Sequence, residues 1–413
     1  MSMPLENKFE NEKIFEWLSL CVLCLLAFCV SLGTATVSIS KALILMAVFI
    51  KLFLDKNKLN KFKIKETPLI FKWMPIGVAW ILISIYWSEA SYTDEWKYFY
   101  GHTRFLWVLA IYYLIGSKER GLSVIKWLIY GQIFVVACSL LMWAGVDMPF
   151  TKRPLEQAVA FTSTLEQPVM TTLALVALFG FRDHWIKQWG VWFLWFTIII
   201  MSLNVIFVMQ GRTGYLVFLT IVSIEALRKF NNKMRWVAIF SPIMLATIFY
   251  ISSPIFAKRV AQIQSNTQAY IVSGAVANSS EGQRLDMWAH TLLGIVKKPI
   301  LGYGVGSLPE VYVAGGGTAQ HVSQPHQQYL FWWAEFGFIG LMIMFGFFFS
   351  LIKDSSKLDK QAKSSLISVI SVLFVMGMFN CPFFGVGMGE FFFLEIAALL
   401  TIREKIFNGV DRA

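Results

Sequence analysis

The sequence predicts an all-α, polytopic membrane protein of about 12 transmembrane helices, with one large extracytoplasmic loop that itself contains helices. Three observations carry this reading. Of 413 residues, 57% are hydrophobic and 15% charged, and a mean hydropathy of +0.60 is too high for a chain that must stay dissolved in water. Apolar runs of about 15 to 25 residues recur between short polar loops, the length a helix needs to cross a hydrocarbon core of ~30 Å. Sixteen Trp, 13 Tyr and 37 Phe provide amphipathic rings of the kind that settle at headgroup level.

Taken in order, the runs lie near residues 14–33, 34–54, 68–87, 104–116, 123–145, 168–181, 189–208, 212–227, 235–253, 327–352, 364–384 and 388–402. The first is long and leads almost directly into the second, so it reads as a retained helix and not as a cleaved signal peptide. Basic residues set the orientation, because positive charge is held on the cytoplasmic side. With the N-terminus inside, one topology places Lys56, Lys58, Lys61, Lys63, Lys65, Lys118, Arg120, Arg182, Lys187, Arg228, Lys229, Lys233, Arg235, Lys353, Lys357, Lys360, Lys363, Arg403 and Lys405 in the cytoplasm. The net charge of +11 is therefore explained by topology, and no nucleic-acid partner is expected. All five cysteines lie in apolar stretches and read as core residues.

The same topology exports Glu89, Asp94, Glu95, the 146–167 loop and the 254–326 segment, which is the long polar stretch of the chain. The chain thus divides into residues 1–253 with nine spans, a loop domain at 254–326, and residues 327–413 with three spans and a cytoplasmic tail. Function is expected in the loop domain. Apolar residues at helical spacing from Arg284 to Val296 predict a helix packed on the bundle.

Three polar residues point outward near membrane depth. Arg212 sits in Gln210-Gly211-Arg212-Thr213-Gly214-Tyr215, between two spans; it reads as an anion-binding group approached closely through its flanking glycines, or as an interfacial arginine snorkelling to headgroups. Arg284 follows Ser279 and Ser280 at a helix start and shares a face with Trp288 four residues on, leaving open a ring stack, an ion pair with Asp286, or a ligand contact. His326 follows Pro325 ahead of the tenth run, so it is expected at a helix N-terminus, where the dipole favours the neutral imidazole that a general base requires. Gly302-Tyr303-Gly304-Val305-Gly306 lacks a preceding strand and a lysine and reads as a turn, and Gly315-Gly316-Gly317 as a flexible loop tip. His321 and His326 with Asp286 or His290 do not form a closely spaced ligand cluster, so no metal and no other cofactor is expected.

Ser280-x-Gly282-x-Arg284-x-x-x-Trp288, the glycine turn at 302–306, and Pro325-His326-Gln327-Gln328-Tyr329-Leu330 with Glu335 and Gly337 resemble segments of the O-antigen ligase family, whose relatives include O-antigen polymerases and protein O-oligosaccharyltransferases. Span number and topology extend the resemblance over most of the chain. The family's histidine is commonly followed by Asn, where this chain has Gln327. The resemblance implies a metal-independent, inverting glycosyltransferase in a bacterial inner membrane. It would move a preassembled glycan from undecaprenyl pyrophosphate to lipid A-core on the periplasmic side, in contact with membrane lipids. It also implies catalytic roles for His326, Arg212 and Arg284, and substrate contacts from Arg212, Arg284, Gln327, Tyr329 and Trp288. A polymerase or a protein-glycosylating enzyme of the same family is the near alternative. A transporter or flippase is the alternative of another class, disfavoured because charges within the spans are sparse.

Overall fold

The computed structural model describes residues 5–54, 67–151, 154–209, 211–229, 235–252, 254–273, 280–318 and 322–403. Apart from one isolated antiparallel bridge between Leu358 and Arg403, the described residues form helices and turns. The first half holds α1 (Leu5–Cys29), α2 (Thr34–Leu54), α3 (Ile70–Ile83), α4 (Tyr92–His102), α5 (Trp107–Ile115), α6 (Lys118–Trp143), α7 (Glu166–Gly180), α8 (Arg182–Trp189) and α9 (Val191–Leu203). The second holds α10 (Arg212–Lys229), α11 (Arg235–Ser252), α12 (Pro254–Ser273), α13 (Ser280–Ile295), α14 (Leu308–Ala314), α15 (Gln328–Ser355), α16 (Lys360–Gly377) and α17 (Met388–Leu400). Each apolar run read from the sequence overlaps one of these helices. Five helical stretches are long and apolar enough to cross a membrane: Thr34–Leu54, Ile70–Trp87, Lys118–Trp143, Val191–Val208 and Gln328–Ser355. The protein is a multi-pass membrane protein.

Local chemistry sets the helix ends. Gly116 adopts φ +65 to close α5, and the Ser117 side chain then accepts from the Arg120 amide to open α6. Ser91 caps α4 through Asp94, with Asp94 and Glu95 in the first turn where the helix dipole favours acids. Apolar but for Glu390 and Glu395, α17 is buried along its whole length and packs on α5, α6 and α16, as a mostly apolar helix must. All five cysteines are free.

Polar loops gather at two ends of the bundle. At one end Lys118 bonds Asp359 at 2.7 Å, Arg120 and Lys51 meet Glu16, and Arg228 donates to Ser364 and Ser368 at 2.9 Å. At the other, Lys298 pairs with Glu89, Ser88 donates to the Val305 carbonyl at 2.8 Å, and Tyr98 donates to the Ser323 carbonyl at 2.8 Å. Lys56, Lys58, Lys61, Lys63, Lys65, Lys233 and Lys405, assigned above by charge, lie outside the described residues.

Two expected spans differ from the structure. The run at 364–384 is helical only to Gly377, and residues 378–387 form a turn, because Pro382, Gly385 and Gly387 break the helical hydrogen-bond pattern. The tenth span starts at Gln328 and is interrupted at Gly337, φ +65 and ψ −171. A Cβ there would lie 2.0 Å from the Ile300 carbonyl oxygen. The glycine turn at 302–306 packs into this break, with Tyr303 N donating to Ala334 O at 3.0 Å and Gly304 N to Glu335 O at 2.8 Å.

Candidate functional site

The expected helix across Arg284 is α13, which places Arg284 and Trp288 on one face. Both line a cavity of about 380 Å³ shared with Thr213 and Leu216 of α10, Ile263 of α12 and Phe379 of the 378–387 turn. Most of the wall is apolar, and its charged groups are Arg284 and Glu281, the latter accepting from the Asn266 side chain at 2.7 Å. Among the described residues no carboxylate pairs with Arg284. Asp286, its alternative partner in the sequence reading, is instead taken by the Tyr312 hydroxyl at 2.5 Å and by His290 at 3.3 Å. An unpaired guanidinium at the edge of a largely apolar cavity has its planar donor fork available to an anion.

His326 lies just before the N-cap of α15, at the N-terminal end of the helix. Gln327 is the N-cap, its side chain accepting from the Leu330 amide at 2.5 Å. The helix therefore begins one residue later, and Pro325 precedes it. His326 has φ +51, a left-handed conformation that costs a residue with a Cβ roughly 1–2 kcal/mol and persists only where neighbours hold it. Trp288 Nε1 donates to the Pro325 carbonyl at 2.8 Å, and the Phe383 amide donates to the Gln328 side chain at 3.1 Å. These bonds pin the turn from two sides.

Burial, then the positive charge of Arg284, lower the proton affinity of His326, while the Asn380 side chain opposes them. The imidazole is neutral near pH 7, and Arg284 stands close enough to act on it electrostatically. The causes are burial and Arg284, where the sequence reading invoked a helix N-terminus.

The other expected residues are placed as follows. Arg212 opens α10, whose next residue, Thr213, lines the cavity; the Arg212 side chain lies outside the described residues. The glycines beside it pack on the 164–168 segment, where a Cβ on Gly211 would sit 2.0 Å from the Thr164 carbonyl and one on Gly214 2.4 Å from Pro168. They allow close helix contact. The Tyr329 hydroxyl donates to Phe374 O at 2.7 Å and the ring stacks on Phe345, which points it along the bundle. Gly315 and Gly317, expected as a flexible tip, are packed against the His290 carbonyl and the Tyr312 ring. His321 lies outside the described residues, and among the described ones no three His, Cys, Asp or Glu side chains group as metal ligands.

Sequence reasoning missed two neighbours. His102 Nε2 is 2.8 Å from Glu335 Oε2, both fully buried, tying α4 to the start of α15. Asn380 lay unnoticed inside an apolar run, although a lone amide beside Cys381-Pro382 marks a break.

Residues 196–345 match the family model described as O-antigen ligase. The resemblance to the O-antigen ligase family is thereby shown. The matched stretch contains Arg212, Arg284, Trp288, the glycine turn and His326; Asn380 lies beyond it. An uncharacterized protein of Haemophilus influenzae is 25% identical over 206 residues, covering 46% of this chain and 51% of that protein. The match thus spans about half the length of that relative.

Proposed function

We propose that the protein is a membrane glycosyltransferase that transfers a preassembled O-antigen glycan from undecaprenyl pyrophosphate to lipid A-core. The reading rests on one observation: Arg284, which among the described residues pairs with no carboxylate, lines a largely apolar cavity and acts electrostatically on His326, whose proton affinity is lowered, inside the family-matched stretch. In the reaction, the acceptor hydroxyl loses its proton to His326 as its oxygen bonds the anomeric carbon from the face opposite the leaving group. The bond from that carbon to phosphate oxygen breaks, and undecaprenyl pyrophosphate departs with the negative charge. Arg284, with Arg212, stabilises that charge through bidentate contacts, so the step needs no metal. A positioned base contributes roughly 10²–10⁴ in rate. The apolar cavity wall suits a polyprenyl chain that stays in the bilayer.

The proposed topology has twelve spans with both termini in the cytoplasm of an inner membrane, and the site at the periplasmic end. The separation of the Lys118, Arg120 and Arg228 contacts from those of Glu89, Lys298 and Ser323 supports it. Deleting the gene and examining lipopolysaccharide and glycoproteins on gels tests the acceptor. Loss of the long-chain ladder with core intact and glycoproteins unchanged supports ligation. Loss of glycoprotein modification with a normal ladder assigns a protein acceptor instead.

A further inference from the structure

His326 is held in an unfavourable backbone conformation by contacts from outside its own helix, and one side of that grip is the turn after α16. Within the turn, the Asn380 amide nitrogen donates to the Met376 carbonyl at 2.8 Å, Phe383 N bonds the Gln328 side chain, and the backbone amides of His326 and Gln327 face the Cys381 sulfur. The 380–383 segment is therefore fixed against 326–328. Nδ1 of His326 is buried and has no hydrogen-bond partner among the described residues. Asn380 is the side-chain amide that bears on the ring, and its side chain has no other polar partner among the described residues.

A buried imidazole N–H must be satisfied, and the group that satisfies it selects the tautomer and so decides which nitrogen keeps a lone pair. Catalytic hydrogen bonds are often long in a substrate-free site and tighten on binding. We propose that Asn380 is the positioning residue for His326: its amide oxygen accepts the Nδ1 proton, leaving Nε2 with the lone pair that takes the acceptor hydroxyl's proton. After transfer both nitrogens carry protons, and Asn380 holds the imidazolium in place. The inference rests on the general-base reading of His326. Among the described residues the charged side chain acting on the ring is Arg284 from α13, and the 380–383 turn contributes Asn380 and the neutral thiol of Cys381.

The test uses the full chain in detergent or nanodiscs. Diethyl pyrocarbonate acylates only neutral imidazole, so the pH dependence of its rate at His326, followed by peptide mass spectrometry, gives a protonation midpoint without any substrate. Asn380→Asp keeps the size of the side chain and adds a negative charge. It is expected to move the midpoint up by about one unit or more, as an opposite charge at contact distance does. Asn380→Leu moves it down. The acid limb of glycan transfer moves with the midpoint, and Asn380→Leu lowers turnover about ten-fold or more with KM for donor within two-fold. A midpoint unchanged in a folded Asn380→Asp protein, checked by an unaltered melting temperature, overturns the proposal. If the midpoint moves but His326→Ala transfers glycan at the full rate, the contact stands and it is the general-base reading that fails.

Discussion

Replacing Trp288 by Phe isolates one hydrogen bond of the site. The phenyl ring preserves most of the apolar surface on the cavity wall, while the bond from Nε1 to the Pro325 carbonyl, 2.8 Å long, is lost. A net hydrogen bond of this kind contributes about 1 kcal/mol, within roughly 0.5–1.5. It helps to hold His326 at φ +51 against a backbone preference of similar size. If the whole of that free energy goes into keeping the turn ordered, 1 kcal/mol corresponds to about a five-fold loss of turnover, with a range of about two- to thirteen-fold. Donor KM should stay within two-fold, because the lost bond is within the protein and not to substrate. The assay is glycan transfer by purified protein in nanodiscs over a series of lipid-linked donor concentrations, with Trp288→Ala as the larger lesion. Wild-type turnover in Trp288→Phe would refute the claim that this bond holds the catalytic turn. A rise in KM alone would return Trp288 to the role of substrate contact.

Arg284→Lys keeps the charge but loses the planar fork, so transfer should fall at least ten-fold in the same assay. Arg284→Gln removes a charge that lowers the proton affinity of His326, so the diethyl pyrocarbonate midpoint should rise, whereas in the wild type it lies below the ordinary imidazole value of 6.5. Gln327→Ala removes the N-cap of α15 and should cost about 1 kcal/mol of stability with little change in KM, measured by thermal melting and by kinetics. Gly337→Ala forces a Cβ into a backbone region reserved for glycine and into the Ile300 carbonyl; a loss of more than about 2 kcal/mol is expected, read as reduced folded yield and melting temperature.

Much of the helical architecture is legible because bilayer-length apolar runs have few alternatives to helix, and the α13 pattern from Arg284 to Val296 follows from spacing alone. What hydropathy averages away is less legible. Asn380 disappears in a window dominated by its neighbours, so the turn at 378–387 reads as the end of a span, although Pro382, Gly385 and Gly387 carry the signal. His102 and Glu335 are 233 residues apart, and no local pattern pairs them. Substrate contacts from Gln327 and Tyr329 are what the family resemblance implies, and their roles within the protein follow no local pattern. Their hydrogen bonds go to Leu330 and Phe374, one as a helix cap and the other as a link between helices. The glycines at 211, 214, 315 and 317 show the same ambiguity, since close packing and ligand access both select the residue without a Cβ.

In the proposed reaction His326 removes the acceptor proton beside an arginine-bound pyrophosphate. The most direct test of this role is His326→Ala in nanodiscs, with donor binding and glycan transfer measured on the same preparation. Donor affinity is expected within about three-fold of wild type and transfer reduced roughly 10²- to 10⁴-fold, the range for loss of a positioned base. Transfer at the wild-type rate by a variant that still binds donor would contradict it.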